Sequence, residues 1–271
     1  MTATTVSPAP VARAALTAPT RQPPVLPALL RSEWAKARSV RSTYWSLAAA
    51  VAVMIGYGAI NSAPHAGAGH GTSDPILTSL SGVLFAQLAI GILGVLVITT
   101  EYSTGMIRST FAAAPQRHLV IIAKAGVLGA AAFAVGTVAS LIAFLDGQAI
   151  MGANGVSLTS PGALRSVIGI GLYLGLLGVF AIALGTIIRR STGAIAALVG
   201  LILILPELLL TLPASLQDTI VKFLPGNAGQ AIFTTGQDTS TLSPWAGLAV
   251  FALYTAAALT LALVLLRRRD A

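Results

Sequence analysis

Along the chain, long apolar runs alternate with short polar joints. A helix needs about 20 mostly apolar residues to cross a ~30 Å hydrocarbon core. Six runs meet that length, at 44–62, 76–100, 119–145, 165–188, 193–212 and 245–266. None alternates with period two. Backbone groups in lipid must be satisfied within their own segment, so the runs predict helices. The expected fold is an all-α integral membrane protein with six transmembrane helices and both termini on one side.

Two stretches outside these runs also carry a helical period. In "LPALLRSEWAKARSVRSTYW" (26–45), Leu26, Leu30, Trp34 and Ala37 form a stripe flanked by Leu29 and Val40, with Arg31, Lys36 and Arg38 on the other faces. Pro27 suits a first-turn position. Residues 26–42 therefore read as an amphipathic helix lying in the interface, with Trp34 at headgroup level and long cations snorkelling. The plainer alternative is a basic stretch that only sets topology. The second stretch is "EYSTGMIRSTFAAAPQRH" (101–118). Glu101 ends the second run and Gly105 breaks the helix. Met106, Ile107, Thr110, Phe111 and Ala114 then make a short apolar stripe, Arg108 and Ser109 lie off it, and Pro115 stops it before Arg117 and His118. Isolated helices below about 12–15 residues are marginal, so this one needs a surface to dock on, either the membrane face or a soluble partner.

Composition agrees with a membrane domain. Of 271 residues, 55% are hydrophobic and only 9% charged, against about 25% charged in soluble domains. Mean hydropathy is +0.85. Cysteine is absent, which excludes a disulfide framework, a thiol nucleophile and cysteine metal sites. The N-terminus holds six prolines (8, 10, 19, 23, 24 and 27) and no signal-peptide core. Residues 1–25 are expected to be a disordered cytoplasmic tail, leaving the first span as its own insertion signal. Residues 43–269 then make up the membrane domain.

Fourteen of the 16 basic residues fall on the side of the termini. Arg165 and Lys222 lie on the other side, together with Asp74, Asp146, Asp218 and Asp238. The positive-inside rule makes the terminal side cytoplasmic. The net charge of +8 is thereby absorbed by topology and anionic lipid, not by nucleic acid.

Candidate chemistry is sparse. With Lys124 and Arg165 counted to the flanking sides, Glu207, in "LILILPELLLTLP", is read as the ionisable residue inside a span. An intramembrane charge is functional by default, so Glu207 is a candidate for a gate or path. Its place near the outer end also allows a solvated or paired role. Gln87, in mid-span two, reads as an interhelical hydrogen bond or a substrate contact. Gly171, Gly175, Gly178 and Gly185, and separately Gly126, Ala130 and Ala134, have the small-residue spacing of helix seams. The 213–243 connection carries an apolar stripe of Leu216, Ile220, Phe223 and Leu224 and reads as an interfacial helix plus loop. His65, His70 and Asp74 share a Gly/Ala-rich loop without helical register, and no metal or cofactor is assigned. No G-x-x-x-x-G-K-[ST] surrounds Lys36, Lys124 or Lys222, and neither H-E-x-x-H nor G-x-S-x-G occurs. No catalytic residue is therefore assigned.

"RSEWAKARSVRSTYWSL" followed by "TTEYSTGMIRSTFAAAPQRHLVIIAK" resembles bacterial ABC transporter permeases of the ABC-2 class. The resemblance rests on Glu101, Gly105, the Met106–Ile107–Arg108 step, Pro115–Gln116–Arg117 and Lys124, and "LPGNAGQAIF" (224–233) is similar to the family's external segment. It covers residues 28–269; Met106 stands where many relatives carry Thr. It implies an exporter permease in the cytoplasmic membrane, without its own ATPase site. Such a permease pairs with a second permease subunit, here expected as a homodimer, and with a separate ATPase. The loop helix would be the coupling helix, with Glu101, Gly105, Met106, Ile107, Arg108, Phe111, Pro115 and Arg117 as coupling residues and Met106, Ile107 and Phe111 as contact face. Glu33, Trp34, Lys36 and Arg38 would belong to the elbow helix, and the external segment would form half-helices at the outer gate. A path with few charges suits hydrophobic or amphipathic substrates. An ion-coupled carrier, which would want several intramembrane carboxylates or an internal repeat, and a non-transporting anchor or sensor are the alternatives.

Overall fold

The computed structural model describes residues 25–67, 74–113, 116–209, 211, 219–236 and 241–268. Its helices, in chain order, are α1 (Val25–Ser39), α2 (Arg41–Ser62), α3 (Pro75–Leu80), α4 (Val83–Ser103), α5 (Met106–Ala113), α6 (Arg117–Met151), α7 (Ala163–Ile188), α8 (Ser191–Val199), α9 (Leu205–Leu209), α10 (Pro225–Gln230) and α11 (Pro244–Arg268). No strand occurs among the described residues. Six segments are long and apolar enough to span a membrane: Thr43–His65, Pro75–Ser103, Arg117–Asn154, Ala163–Ile188, Ser191–Leu209 and Pro244–Arg268. The expected 1–25 tail lies almost wholly outside the described residues.

The six-span reading holds, with one large shift in a limit. The third run ends at Leu145 by hydropathy, yet α6 continues to Met151 and takes Asp146 and Gln148 into the helix. Gln148 explains part of the extension. Its amide donates to Pro75 O and Ser79 Oγ, and its carbonyl accepts from Val156 N–H, so the polar end of α6 is satisfied by α3 and the following loop. Asp74, placed in the outer loop by sequence, caps α3 by accepting from the backbone N–H groups of Ile76 and Leu77.

α7 forms the axis of the bundle and packs against α6, α4, α11 and α8. Small residues allow this. A Cβ added to Gly171 would meet Thr137 Oγ1 at 2.0 Å, and one on Gly175 would meet Gly129 O at 3.0 Å. Lipid supplies no hydrophobic drive between helices, so such close backbone approach is what holds them. Gly185 meets α4 instead, at Ile98. The α7 seam is thus as read. The seam expected on the third span is corrected: Gly126, Ala130 and Ala134 are exposed, and α6 meets α7 through Gly129, Gly136 and Thr137. Four-residue spacing could not say which of several small-residue faces of α6 meets the neighbour.

The fifth span is interrupted. Between α8 and α9, Gly200–Ile204 form a π-helical turn. Pro206 lacks the N–H that would bond Ile202 O in a regular helix, which is a local cause for the widened turn. Gly226 in α10 packs its backbone against that same carbonyl, since an added Cβ would lie 2.5 Å from it.

Candidate functional site

Gly105 lies between α4 and α5 with φ +72°, a left-handed conformation that costs any side-chain-bearing residue. It ends α4 and lets α5 turn across the base of the bundle. The stripe on α5 then divides. Ile107 and Phe111 are 3% and 6% exposed, while Met106 is 47% exposed. Ile107 and Phe111 enter a core with Leu93 and Ile98 of α4, Val120 and Ile121 of α6, and Leu266 of α11. The Arg117 guanidinium stands 5.5 Å from the centroid of the Phe111 ring and closes the stripe at its far end. The surface that a helix of eight residues requires is supplied by this chain's own spans. Ile107 and Phe111 are therefore anchors, and the expected contact face loses them. Met106, Arg108, Ser109 and Ala112 point outward. Pro115 and Ala114 lie outside the described residues.

Beside this core sits a feature the sequence reading missed. Lys124 Nζ donates to Glu33 Oε2 at 2.6 Å and to Glu101 Oε1 at 2.8 Å. Lys36 Nζ donates to Glu33 Oε1 at 2.6 Å and stands 3.6 Å from Glu101 Oε1. The side chains of Glu33, Glu101 and Lys124 are each 4% exposed, whereas that of Lys36 is 39% exposed. Two carboxylates and two ammonium groups balance to zero. A buried charge is tolerated when it is paired in this way. Burial alone would raise the Glu33 pKa, but Lys124 and Lys36 outweigh it and hold the carboxyl below its ordinary range. Burial likewise opposes the Lys36 charge, and Glu33 and Glu101 overcome it and raise its pKa.

The cluster joins three elements: α1 through Glu33 and Lys36, the last turn of α4 through Glu101, and the first turns of α6 through Lys124. It corrects the view that Glu207 is the ionisable group of the spans. Glu207 is exposed on α9, and Lys124 and Glu101 are the buried ones. It also gives α1 a reason for its orientation. Leu26, Leu30 and Trp34 stay exposed for the interface, Arg38 is exposed, and Glu33 turns inward while Leu29 packs against the α5 core. A signal was present in the sequence. Glu33 and Lys36 stand three apart, and Glu101 and Lys124 are lone charges within reach of the same end of the bundle.

Deeper in the bundle, away from the ion cluster, a second polar contact is neutral. The Tyr173 hydroxyl donates to Gln87 Oε1, linking α7 to α4. The Tyr173 ring lies 5.8 Å from Phe233 and 5.4 Å from Phe251 by centroid. Gly229 of α10 fits against that ring. α10 and the turn after it are buried, with Ala228 and Ile232 fully covered, so this short helix dips into the bundle. His65 turns its ring Nδ1 to Asn61 O; His70 lies outside the described residues.

A family model described as "ABC-2 family transporter protein" matches residues 29–207, well over half of the chain. The match runs from α1 through α9 and so spans the ion cluster, α5 and the axis helix. No curated protein matches the chain. The chain belongs to the ABC-2 family of transporter proteins.

Proposed function

We propose that this ABC-2 family membrane protein is the permease subunit of an ATP-driven exporter in the cytoplasmic membrane. It would have both termini inside and work with a second copy of itself. A separate ATPase grips α5, and a hydrophobic or amphipathic substrate crosses along the seam between the two permeases. The observation that carries this reading is the division of α5. Its inner face is fastened by Ile107 and Phe111, and its outer face offers Met106, Arg108 and Ser109 to a partner. A short helix fastened on one face and exposed on the other suits transmission of a push from a partner to the spans. Gly105 and Arg117 hold its two ends.

The distribution of buried charge supports a permease over an ion-coupled carrier. A carrier places carboxylates on broken helices near mid-membrane. Here Glu33, Glu101, Lys36 and Lys124 gather at the α5 end and neutralise one another. Glu207, exposed at the end of α9, is the remaining gate candidate, and Gln87 is engaged by Tyr173.

The test is co-expression with a stand-alone ABC ATPase sought in the neighbouring reading frames. Met106→Glu with Arg108→Glu is expected to abolish co-purification and ATP-dependent transport, while the permease keeps its yield and melting temperature. Full co-purification with full transport by that variant would remove α5 as the docking element.

A further inference from the structure

The ion cluster has a position that simple fastening does not require. Glu101 lies one turn before Gly105, where α4 yields to α5. Lys124 lies on the stretch of α6 whose Val120, Ile121 and Ala125 receive Ile107 and Phe111. The groups that feel any displacement of α5 first are therefore the ones that hold Glu33. Beyond Glu33, α1 is joined to α2 through Val40 alone, which is extended at φ −88° and ψ 110°. The joint is short and bonded: Val40 N–H donates to Lys36 O and Thr43 N–H to Val40 O. A continuous path of contacts thus runs from α5 through the ends of α4 and α6, across the cluster, to α1 and the first span.

We propose that Lys124 is a positioning residue for coupling. Held between Glu33 and Glu101, it pins α1 to the α4–α5–α6 corner, so that displacement of α5 carries α1 and the head of α2 with it as one body. Apart from the half-exposed Lys36, which stands 3.6 Å from Glu101 Oε1, the hold on α1 at this corner is apolar, through Leu29 against the α5 core and Leu30 near Gly126. An interfacial helix held only by such contacts follows the lipid surface rather than the loop. The pin adds direction, because an ammonium gripped by two carboxylates from different elements resists sliding that apolar contacts permit. This inference rests on the permease reading above.

The absence of cysteine allows a direct measurement. Spin labels at Ala35→Cys on α1 and Ser109→Cys on α5, both exposed positions, report the distance between the two helices in nanodiscs. The background variant is Lys124→Met with Glu33→Gln, which keeps the charge balanced by leaving Glu101 with Lys36. With Lys124 intact, and with Lys124→Arg, the α1–α5 distance distribution is expected to be narrow. In the double variant it is expected to broaden, and transport per ATP hydrolysed by the complex is expected to fall at least about tenfold while hydrolysis persists. If the double variant does not fold, Glu33→Gln alone removes the Glu33 arm of the pin, leaves the Lys124–Glu101 pair and the longer Lys36–Glu101 contact intact, and is read on the same two axes. An unchanged distance distribution together with unchanged transport per ATP overturns the pin. Absence of ATP-dependent transport by the unaltered protein overturns the permease reading itself, and is distinguishable because the unaltered complex alone shows it.

Discussion

The two ends of this bundle are closed by different chemistry. At the α5 end, three elements meet on four charges, with Lys124 between Glu33 and Glu101 and Lys36 at the rim. Away from it, toward the other side of the bundle, α4, α7, α10 and α11 meet on neutral hydrogen bonding and three aromatic rings, centred on Tyr173. Charges in low dielectric interact strongly but tolerate no missing partner. Aromatic packing is more forgiving and scales with the volume lost. The difference suggests a division of labour. The charged region is held by paired charges, and the neutral region by packing and neutral hydrogen bonding. The sharpest way to break the comparison is Lys124→Met alone, which leaves Glu33 and Glu101 facing each other with only half-exposed Lys36 between them. Removing one partner of a buried ion cluster costs about 3–5 kcal/mol, and thermal unfolding in detergent is expected to show a loss of that order. A loss below about 1 kcal/mol would mean that water reaches the cluster and that the two ends are alike.

At the neutral end, Tyr173→Phe keeps the ring and removes the hydroxyl. Gln87 Oε1 then loses its donor in a buried site, where an unmet polar group costs about 1–3 kcal/mol. The expected loss is smaller than for Lys124→Met, and Gln87→Leu in the same chain is expected to recover part of it, because both partners are then apolar. No recovery would place the cost in the ring packing instead. The joint between the ends and the loop is tested by Gly105→Ala. Nothing stands within 4 Å of the position a Cβ would take, so the substitution costs only the left-handed backbone, about 1–2 kcal/mol. That cost is expected to appear as increased amide exchange confined to α5, with Tyr173 and its neighbours unaffected.

How much of this was legible in the sequence differs between the two ends. The spans were legible because lipid imposes length and hydropathy on each helix separately. The α7 seam was legible because Gly171, Gly175 and Gly178 leave little choice of face. The face of α6 was not legible, since Gly126, Ala130 and Ala134 compete with Gly129 and Gly136 and only the neighbour decides. The same holds for α5: its stripe was visible, but not that Ile107 and Phe111 are claimed by the chain itself, leaving Met106 free. The ion cluster needs contacts across 91 and 23 residues of sequence. A lone charge at a span end looks the same whether it snorkels to water or turns inward, and the choice is made by what α1 brings to it.

The smallest effect, and the most specific to the comparison, is on acidity. Glu33 faces Lys36 of its own helix and Lys124 of α6, with Glu101 of α4 on the far side of both lysines. Its pKa is lowered on folding from an ordinary value of 4.5. A group depressed in the folded state contributes stability that is fully present above its ordinary pKa and is lost as pH falls through the folded value. Lys36 has the opposite sign. Its pKa is raised from 10.5, so its contribution is present below that value and is lost only in strong alkali. Between about pH 5 and pH 10 the contributions of Glu33 and Lys36 are therefore expected to be constant, and below about pH 4.5 that of Glu33 is expected to fall. Among the described residues, no carboxylate contacts Tyr173, and this region should not respond. The three tryptophans allow the two to be read separately. Trp34 lies on α1, one residue from Glu33, and Trp245 lies at the start of α11 at the other end. With the other two tryptophans replaced by Phe, Trp34 emission is expected to shift between pH 5 and pH 3 and Trp245 emission to stay constant. Glu33→Gln is expected to flatten the Trp34 response. Equal shifts at both tryptophans would show that acid unfolds the bundle as a whole, and that the charged end is no more independent than the neutral one.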